Sequence, residues 1–453
     1  MNPLTNCNNI YVICIGGIGM SALARYFNTQ GVVVSGYDKT PTLLTDALVE
    51  EGIQIHFEDD LAKIDKAATV IVYTPAIPNE HGELNYYRDN KYLVVKRSDV
   101  LQWITENAFT IAIAGTHGKT TTTSMTAHIL RHTGYGCNAF LGGIATNYGT
   151  NFWSHEKNVV VVEADEYDRS FLKLAPNIAV ITAVDPDHLD IYGTAEEVVK
   201  AFGEFSDKIK PGGVLIQKWG TAFNTNTSNK TVFSYGYNHN EASYHASNLK
   251  VVEGSYHFDL VHPAGICKDI ILNMGGLHNV ENVSAAIAIA LSLGIEEVKI
   301  KEAVASFAGV KRRFEYKVKT PNKVLIDDYA HHPEELNALI SGVRSLYPHE
   351  KMVLVFQPHL YSRTKDQCDG FVETLDKADE VILLPIYPAR ELPMEGVSSE
   401  MLLAKMKLSH KKIMSKDELF DWAANSQDKL IVMAGAGDID TCILKVQEIL
   451  TNK

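Results

Sequence analysis

Cysteine is sparse in this chain: six residues in 453 (Cys7, Cys14, Cys137, Cys267, Cys368 and Cys442), none forming a C-x-x-C pair. That spacing supports neither a zinc site nor a disulfide framework, so free thiols in a reducing, cytoplasmic compartment are expected. Basic charge is also short, with 42 Lys and Arg against 55 Asp and Glu, a net charge of −13. An acidic balance argues against a general nucleic-acid binder, whose affinity rests on basic surface. It leaves room for phosphorylated small molecules, because a pocket needs only local donors. Long apolar runs are missing. The longest, Val283–Leu293, is broken by Ser284 and Ser292 and falls well short of the ~20 residues that cross a bilayer. The opening Met1–Asn9 holds no Lys or Arg, so the apolar Ile10–Ile15 lacks the basic flank of a signal peptide. No membrane partner is expected. What remains is ordinary globular composition, 45% apolar and 21% charged, and a length that suggests about three domains.

Three apolar runs end in chemistry-bearing turns. Tyr11–Ile15 meets Gly16-Gly-Ile-Gly-Met-Ser21, Phe109–Ala114 meets Gly115-Thr-His-Gly-Lys-Thr120, and Lys323–Ile326 meets Asp327-Asp-Tyr-Ala-His-His-Pro333. A helical stretch follows each, so each reads as the first β-α unit of an α/β layer. Val159–Val162, Ile178–Val184, Met352–Phe356, Val381–Leu384 and Leu430–Ala434 read as buried parallel strands. Boundaries near 107 and 313 divide the chain into 1–107, 108–313 and 314–453. The polar Thr221–Thr231 reads as a surface loop.

Gly17-Ile-Gly-Met-Ser-Ala22 fits G-x-G-x-x-A, and Asp38 follows 21 residues after Gly17, past Val32–Val34. Glycines admit a diphosphate close to the backbone, a helix N-terminus supplies N–H groups, and a carboxylate at that distance suits a ribose. This motif alone does not separate a nicotinamide cofactor from another nucleotide diphosphate. The second turn is more specific. Gly115, Thr116, His117 and Gly118 would wrap phosphates, Lys119 would reach the β- and γ-phosphates, and the Thr120 hydroxyl would hold Mg²⁺. It is a short G-x-x-G-K-T form, with Ile113 where the common P-loop has its first glycine, and Thr121–Thr123 follow. ATP is the expected ligand.

Two later strand ends carry acids: Glu163-Ala-Asp-Glu166 and Asp185-Pro-Asp-His-Leu-Asp190. Ligands of open α/β sheets gather at such carboxyl ends. Mg²⁺ prefers oxygen donors, which makes Glu163 and Thr120 candidate ligands; His188 suits Mn²⁺ better. Asn279 and Asn282 share a helix face after Gly275-Gly-Leu-His278, a pattern that fits an adenine edge or a helix N-cap equally well.

Taken together these segments resemble the Mur ligase family of ATP-dependent amide-forming enzymes. The resemblance is carried by Ile15–Ala24, Gly115–Thr122, Val162–Leu172, Asp187–Gly193, Gly276–Val283, Lys311–Glu315, Asp327–Glu335, Phe356–Thr364 and Ala434–Ile439, in family order along essentially the whole chain. It implies three α/β domains: a Rossmann-like N-terminal domain, a central P-loop ATP-binding domain and a C-terminal Rossmann-like domain. It further implies UDP-N-acetylmuramate and L-alanine as substrates, with ATP and Mg²⁺ (or Mn²⁺) as cofactors. The lactyl carboxylate would take the γ-phosphate, and the resulting acyl phosphate would be attacked by the amine of alanine.

By the same resemblance Gly16, Gly17, Ile18, Gly19, Met20, Ser21 and Asp38 would bind the UDP sugar. Gly115, Thr116, His117, Gly118, Lys119, Thr120, Thr121, His278, Asn279, Asn282, Arg313 and Asp328 would bind ATP. Lys119, Glu163, His188, Arg313 and Asp328 would be catalytic, with Thr120, Glu163 and His188 toward metal. His332, His359, Tyr361 and Arg363 would face the amino acid and acyl phosphate. One departure is Leu360, where the family commonly carries a basic residue. Lys200 lies near the place of a carbamylated lysine in several relatives, without a secure alignment. Three other readings remain: a ligase recycling a ready-made tripeptide onto the same nucleotide, a nicotinamide-dependent dehydrogenase, and a nucleotide-binding regulator. The glycine turn Gly16–Ser21 favours the alanine branch over the first, and the second glycine turn is left unexplained by the dehydrogenase. Oligomeric state, monomer or homodimer, is not legible.

Overall fold

A computed structural model describes residues 3–186, 189–389 and 391–451. The chain forms two compact units. One holds Met1–Asn248, Phe258–Ile270 and Val280–Phe307; the other holds Leu249–His257, Ile271–Asn279 and Ala308–Lys453.

The first unit opens with a five-stranded parallel sheet, ordered Gln54–His56, Val33–Tyr37, Asn9–Ile13, Val70–Tyr73, Leu93–Lys96. Strand order reverses between Asn9–Ile13 and Val70–Tyr73, which opens a crevice at their carboxyl ends. The first glycine turn lies there. Its strand is Asn9–Ile13 rather than Tyr11–Ile15, because the chain leaves the sheet at Cys14, whose φ of +70° breaks the extended path.

A larger sheet follows in the same unit. Phe109–Ala114 lies between Val159–Glu163 and Ile178–Ile181, both parallel to it, with Ile113 opposite Glu163 and Ala114 opposite Ile181. Asn138–Ala145 extends the sheet beyond Val159–Glu163, and Thr150–Trp153 pairs antiparallel with it. The strand after Leu174 ends at Ile181, three residues short of the expected Val184. Thr182 and Ala183 instead brace the glycine loop. Ile111–Ala114 are fully buried, and burial on this scale stabilises by about 1.5–3 kcal/mol per large aliphatic side chain. One apolar core joins both sheets, from Ile10 and Leu23 to Phe140, Val162 and Phe205. Residues 221–227 carry no regular structure, as expected, and a strand begins at Lys230.

The second unit holds a six-stranded sheet ordered Glu315–Lys319, Val324–Asp328, Leu430–Ala434, Met352–Phe356, Glu380–Leu383, Lys411–Ile413. All pairs are parallel except the edge strand Glu315–Lys319. Its core includes Leu325, Val353, Val355, Ile431 and Met433. Among the described residues, no helix is long and apolar enough to cross a membrane.

Candidate nucleotide and substrate site

The second glycine turn is built by close approach. Gly115 has φ +132°, and a Cβ there would lie 2.1 Å from Thr182 Oγ1. The Thr182 hydroxyl bonds the carbonyls of Ala114 and His117, while Thr116 N–H donates to Ala183 O at 3.1 Å. Gly118, at φ +80°, precedes the helix Lys119–His132, and a Cβ on it would come within 2.7 Å of Asn282 Oδ1. Only glycine meets both conditions. The loop therefore presents bare backbone ahead of a helix N-terminus, an arrangement that receives phosphate.

Two oxygen donors converge beside it. Thr120 Oγ1 donates to Glu163 Oε1 at 3.1 Å. Two adjacent ligands of an octahedral Mg²⁺, each at about 2.1 Å, stand about 3 Å apart. The pair thus already holds the spacing that such an ion imposes. Glu163 leans on Gly142, where a Cβ would sit 2.0 Å from its Oε2. Among the described residues no group of three His, Cys, Asp or Glu side chains is placed to hold a metal. Mg²⁺ sites with nucleotides take one or two protein oxygens and fill the remaining positions with phosphate oxygens and water. His188 lies outside the described residues.

Lys119 bonds Gly115 O at 2.7 Å and Glu166 Oε1 at 2.8 Å. Burial pushes the Glu166 carboxyl up from its ordinary range, against the opposing pull of Lys119. Thr121 is buried at the first turn of the helix, and His117 is exposed with Asp185 at 3.9 Å.

The first glycine turn faces the same region. A cavity of about 400 Å³ is lined by Gly17, Gly19 and Arg97 together with Leu141, Glu163 and Asp165. Ile18 and Met20 also border it, and Arg97 stands 3.9 Å from Asp165. A second cavity of about 230 Å³ shares Thr74, Arg97 and Asp165. Ser21 is buried and accepts from Asn151 Nδ2 at 2.9 Å. Asp38 closes the turn: its carboxylate accepts from Gly16 N–H at 2.8 Å and Thr40 N–H at 3.1 Å.

In the second unit, Asp328 accepts from Phe314 N–H at 2.7 Å and Ala330 N–H at 2.8 Å. Burial raises its carboxyl to about 6 despite those bonds. Arg313 is exposed, whereas its neighbour Arg312 bonds Gly435 O and stands 3.5 Å from buried Asp327. His359 stacks on Tyr387 at 5.7 Å, with Arg363 Nη1 at 3.3 Å from its Nδ1. Burial and then Arg363 lower its pKa. Tyr361 opens the helix that carries Arg363. The imidazole packed against His359 is His331, at 6.0 Å, while His332 caps the helix Pro333–Leu346. Leu360 adopts φ +69°, a strained region for a leucine. His278 is exposed at the start of the helix Leu277–Ser292, and Asn279 Nδ2 donates to Gly275 O at 2.7 Å. Lys200 is 61% exposed and pairs with Glu197.

Family comparisons cover the chain in three stretches. Residues 9–108 match the Mur ligase family catalytic domain, 113–290 the Mur ligase middle domain, and 312–437 the Mur ligase glutamate ligase domain. UDP-N-acetylmuramate–L-alanine ligase of Flavobacterium psychrophilum is 46% identical over 99% of this chain and 100% of its own length. The chain belongs to the Mur ligase family. The enzyme of the same name from Porphyromonas gingivalis is also 46% identical, over 97% of this chain and 98% of its own. The crystal structure of UDP-N-acetylmuramate–alanine ligase from Thermotoga maritima matches with a TM-score of 0.82 at 27% identity, covering 98% of this chain and 99% of that one. A murein peptide ligase from Psychrobacter arcticus shares the fold, with a TM-score of 0.65 at 21% identity over 98% and 99%.

As a Mur ligase the chain is an ATP-dependent enzyme of mixed α/β architecture. Its site contains residues that spacing did not single out: Thr182, Gly142, Arg97, Asn151 and Glu166. The first four come from other strands and helices, so no local motif announces them. Glu166 carried a signal, since it closes the acidic segment that begins at Glu163.

Proposed function

We propose that the protein joins L-alanine to the lactyl carboxylate of UDP-N-acetylmuramate, converting ATP to ADP and phosphate. One observation carries this reading: a single cavity is bordered both by the diphosphate-type turn Gly17–Gly19 and by Glu163, partner of the P-loop Thr120. A nucleotide sugar held at that turn extends its acid toward a phosphate held beside Glu163. The relatives 45–47% identical over nearly their full lengths carry the name of that activity.

In this reading residues 1–107 bind the UDP sugar, 108–313 bind ATP, and 314–453 bring the amino acid. The muramate carboxylate oxygen attacks the γ-phosphorus, the bond to the bridging oxygen breaks, and ADP leaves. The amine of alanine then adds to the acyl carbon and loses a proton. Phosphate departs from the tetrahedral intermediate and the amide forms. Negative charge grows on oxygen in both steps, so fixed cations aimed at those oxygens lower both barriers. Lys119 supplies one at the P-loop. Thr120 and Glu163 would hold Mg²⁺ or Mn²⁺, whose contribution is to neutralise phosphate charge, with His188 assigned to a second ion. Gly115–Gly118 and Thr121 cradle the triphosphate, and His278, Asn279 and Asn282 are assigned toward the adenine side. Arg313, Asp328, His332, His359, Tyr361 and Arg363 are assigned to ATP, the acyl phosphate and alanine.

The test is phosphate release from the purified protein with ATP, the muramate nucleotide, and either L-alanine or a preformed tripeptide. Release is expected only with alanine and all three substrates present. Lys119→Ala should remove most turnover, on the order of a hundredfold or more. Turnover with the tripeptide alone, or near-normal activity of the variant, would overturn the assignment.

A further inference from the structure

Glu166 is 1% exposed, and its side chain reaches the base of the glycine loop. Its Oε1 accepts from Lys119 Nζ at 2.8 Å, while the same ammonium donates to Gly115 O at 2.7 Å. Among the described residues its Oε2 has no hydrogen-bond partner. The backbone behind it is anchored twice, because its carbonyl accepts from Arg169 N–H at 2.9 Å and from the Tyr192 hydroxyl at 2.7 Å. Tyr192 is buried, with the Arg169 guanidinium 4.9 Å from its ring centre. These bonds fix the backbone at 166, from which the buried side chain reaches Lys119.

We infer that Glu166 is a positioning residue for the P-loop lysine, holding the Lys119 ammonium at the loop with two of its three N–H groups engaged and one left for the triphosphate. An ammonium has three donors on a flexible four-carbon stem. Left alone it would sample many rotamers, and ordering it would have to be done by the nucleotide. Two fixed acceptors remove that freedom beforehand, which is preorganisation of a cation for developing phosphate charge. A buried ion pair adds little stability over an apolar pair of similar volume, so stability alone gives no reason to place one inside the loop. This inference rests on the ligase reading through the role of Lys119.

The experiment uses the full chain and two variants, Glu166→Gln and Glu166→Asp. Glutamine keeps the volume and removes the charge; aspartate keeps the charge and withdraws it by one methylene. Glu166→Gln is expected to raise KM for ATP about tenfold and lower kcat about tenfold, with KM for alanine and for the muramate nucleotide within about twofold. Glu166→Asp should fall between it and the wild type, and it serves as the reading if Glu166→Gln does not fold. A calorimetric ATP titration in a Lys119→Met background separates positioning from structure. There, the change at 166 should alter ATP affinity by less than about twofold, because the group it acts through is gone. The same loss in both backgrounds, or wild-type kinetics in both variants, would overturn the inference. Failure of the wild-type chain to bind ATP at all would instead strike the ligase reading.

Discussion

Gly142→Ala reaches the reaction through a contact that no motif contains. Gly142 lies in the strand Asn138–Ala145, and its φ is not in the left-handed region, so alanine suits its backbone. The new methyl would nevertheless stand 2.0 Å from Glu163 Oε2 and 2.7 Å from its Cδ, whereas ordinary contact begins near 3.4 Å. The carboxylate must retreat by about 1.4 Å, and the 3.1 Å bond from Thr120 is lost with it. Misplacing a catalytic group by about 1 Å costs on the order of a hundredfold in rate. That factor is equivalent to about 2.7 kcal/mol of lost transition-state stabilisation.

Phosphate release measured across a Mg²⁺ titration checks this. The variant should show kcat down about a hundredfold and a higher half-saturating Mg²⁺ concentration, with KM for alanine little changed. Thermal unfolding should stay close to wild type, because the clash is with the end of a side chain and not with backbone. The double variant Gly142→Ala/Glu163→Asp should recover part of the rate, since the shorter acid vacates the space the methyl fills. Wild-type kcat with an unchanged Mg²⁺ requirement would refute the assignment of Glu163 as a metal ligand.

Asn151→Ala should destabilise the first unit by about 2–4 kcal/mol. Fully buried Asn151 accepts from Arg25 Nη1 at 2.5 Å and donates to Ile18 O at 2.6 Å and Ser21 Oγ at 2.9 Å; an unmoved first urea midpoint would count against that network. Asp327→Asn tests the buried acid of the second unit. Burial raises the Asp327 carboxyl to about 7 and that of Asp328 to about 6, each from an ordinary value of 3.8. The folded state therefore binds these protons more tightly than the unfolded chain, and stability declines as pH rises from about 4 to about 7. Asparagine at 327 should flatten that decline and help most above pH 7. Urea midpoints from pH 5 to 8 with the wild-type slope would exclude Asp327 as its source.

The second glycine turn was legible because its chemistry is local: strand, loop, Lys119 and Thr120 follow one another within twelve residues of sequence. Asp38 is legible in position, but not its bonds to the Gly16 and Thr40 N–H groups, since hydrogen bonds of a turn leave no trace in spacing. Neighbouring identical residues were not resolvable either. Arg312 and Arg313 differ in burial because Arg312 takes φ +59° and turns onto Gly435 O and Asp327. His331 and His332 differ because one packs on His359 while the other caps a helix. The antiparallel edge strand Glu315–Lys319 also escaped, since its alternation of charged and apolar residues lacks the continuous apolar run of a buried parallel strand.

A chain of net charge −13 that gathers Glu163, Asp165 and Glu166 beside a triphosphate loop looks ill suited to polyanions. The geometry removes the conflict one carboxylate at a time. Glu166 is matched by Lys119 at 2.8 Å, and Asp165 by Arg97 at 3.9 Å. Glu163 accepts from the Thr120 hydroxyl at its Oε1. It also borders the cavity that the first glycine turn borders. Charge of one sign across the surface sets solubility and long-range steering. Within a few ångströms pairing counts for more, and here it offsets the charge of Asp165 and Glu166.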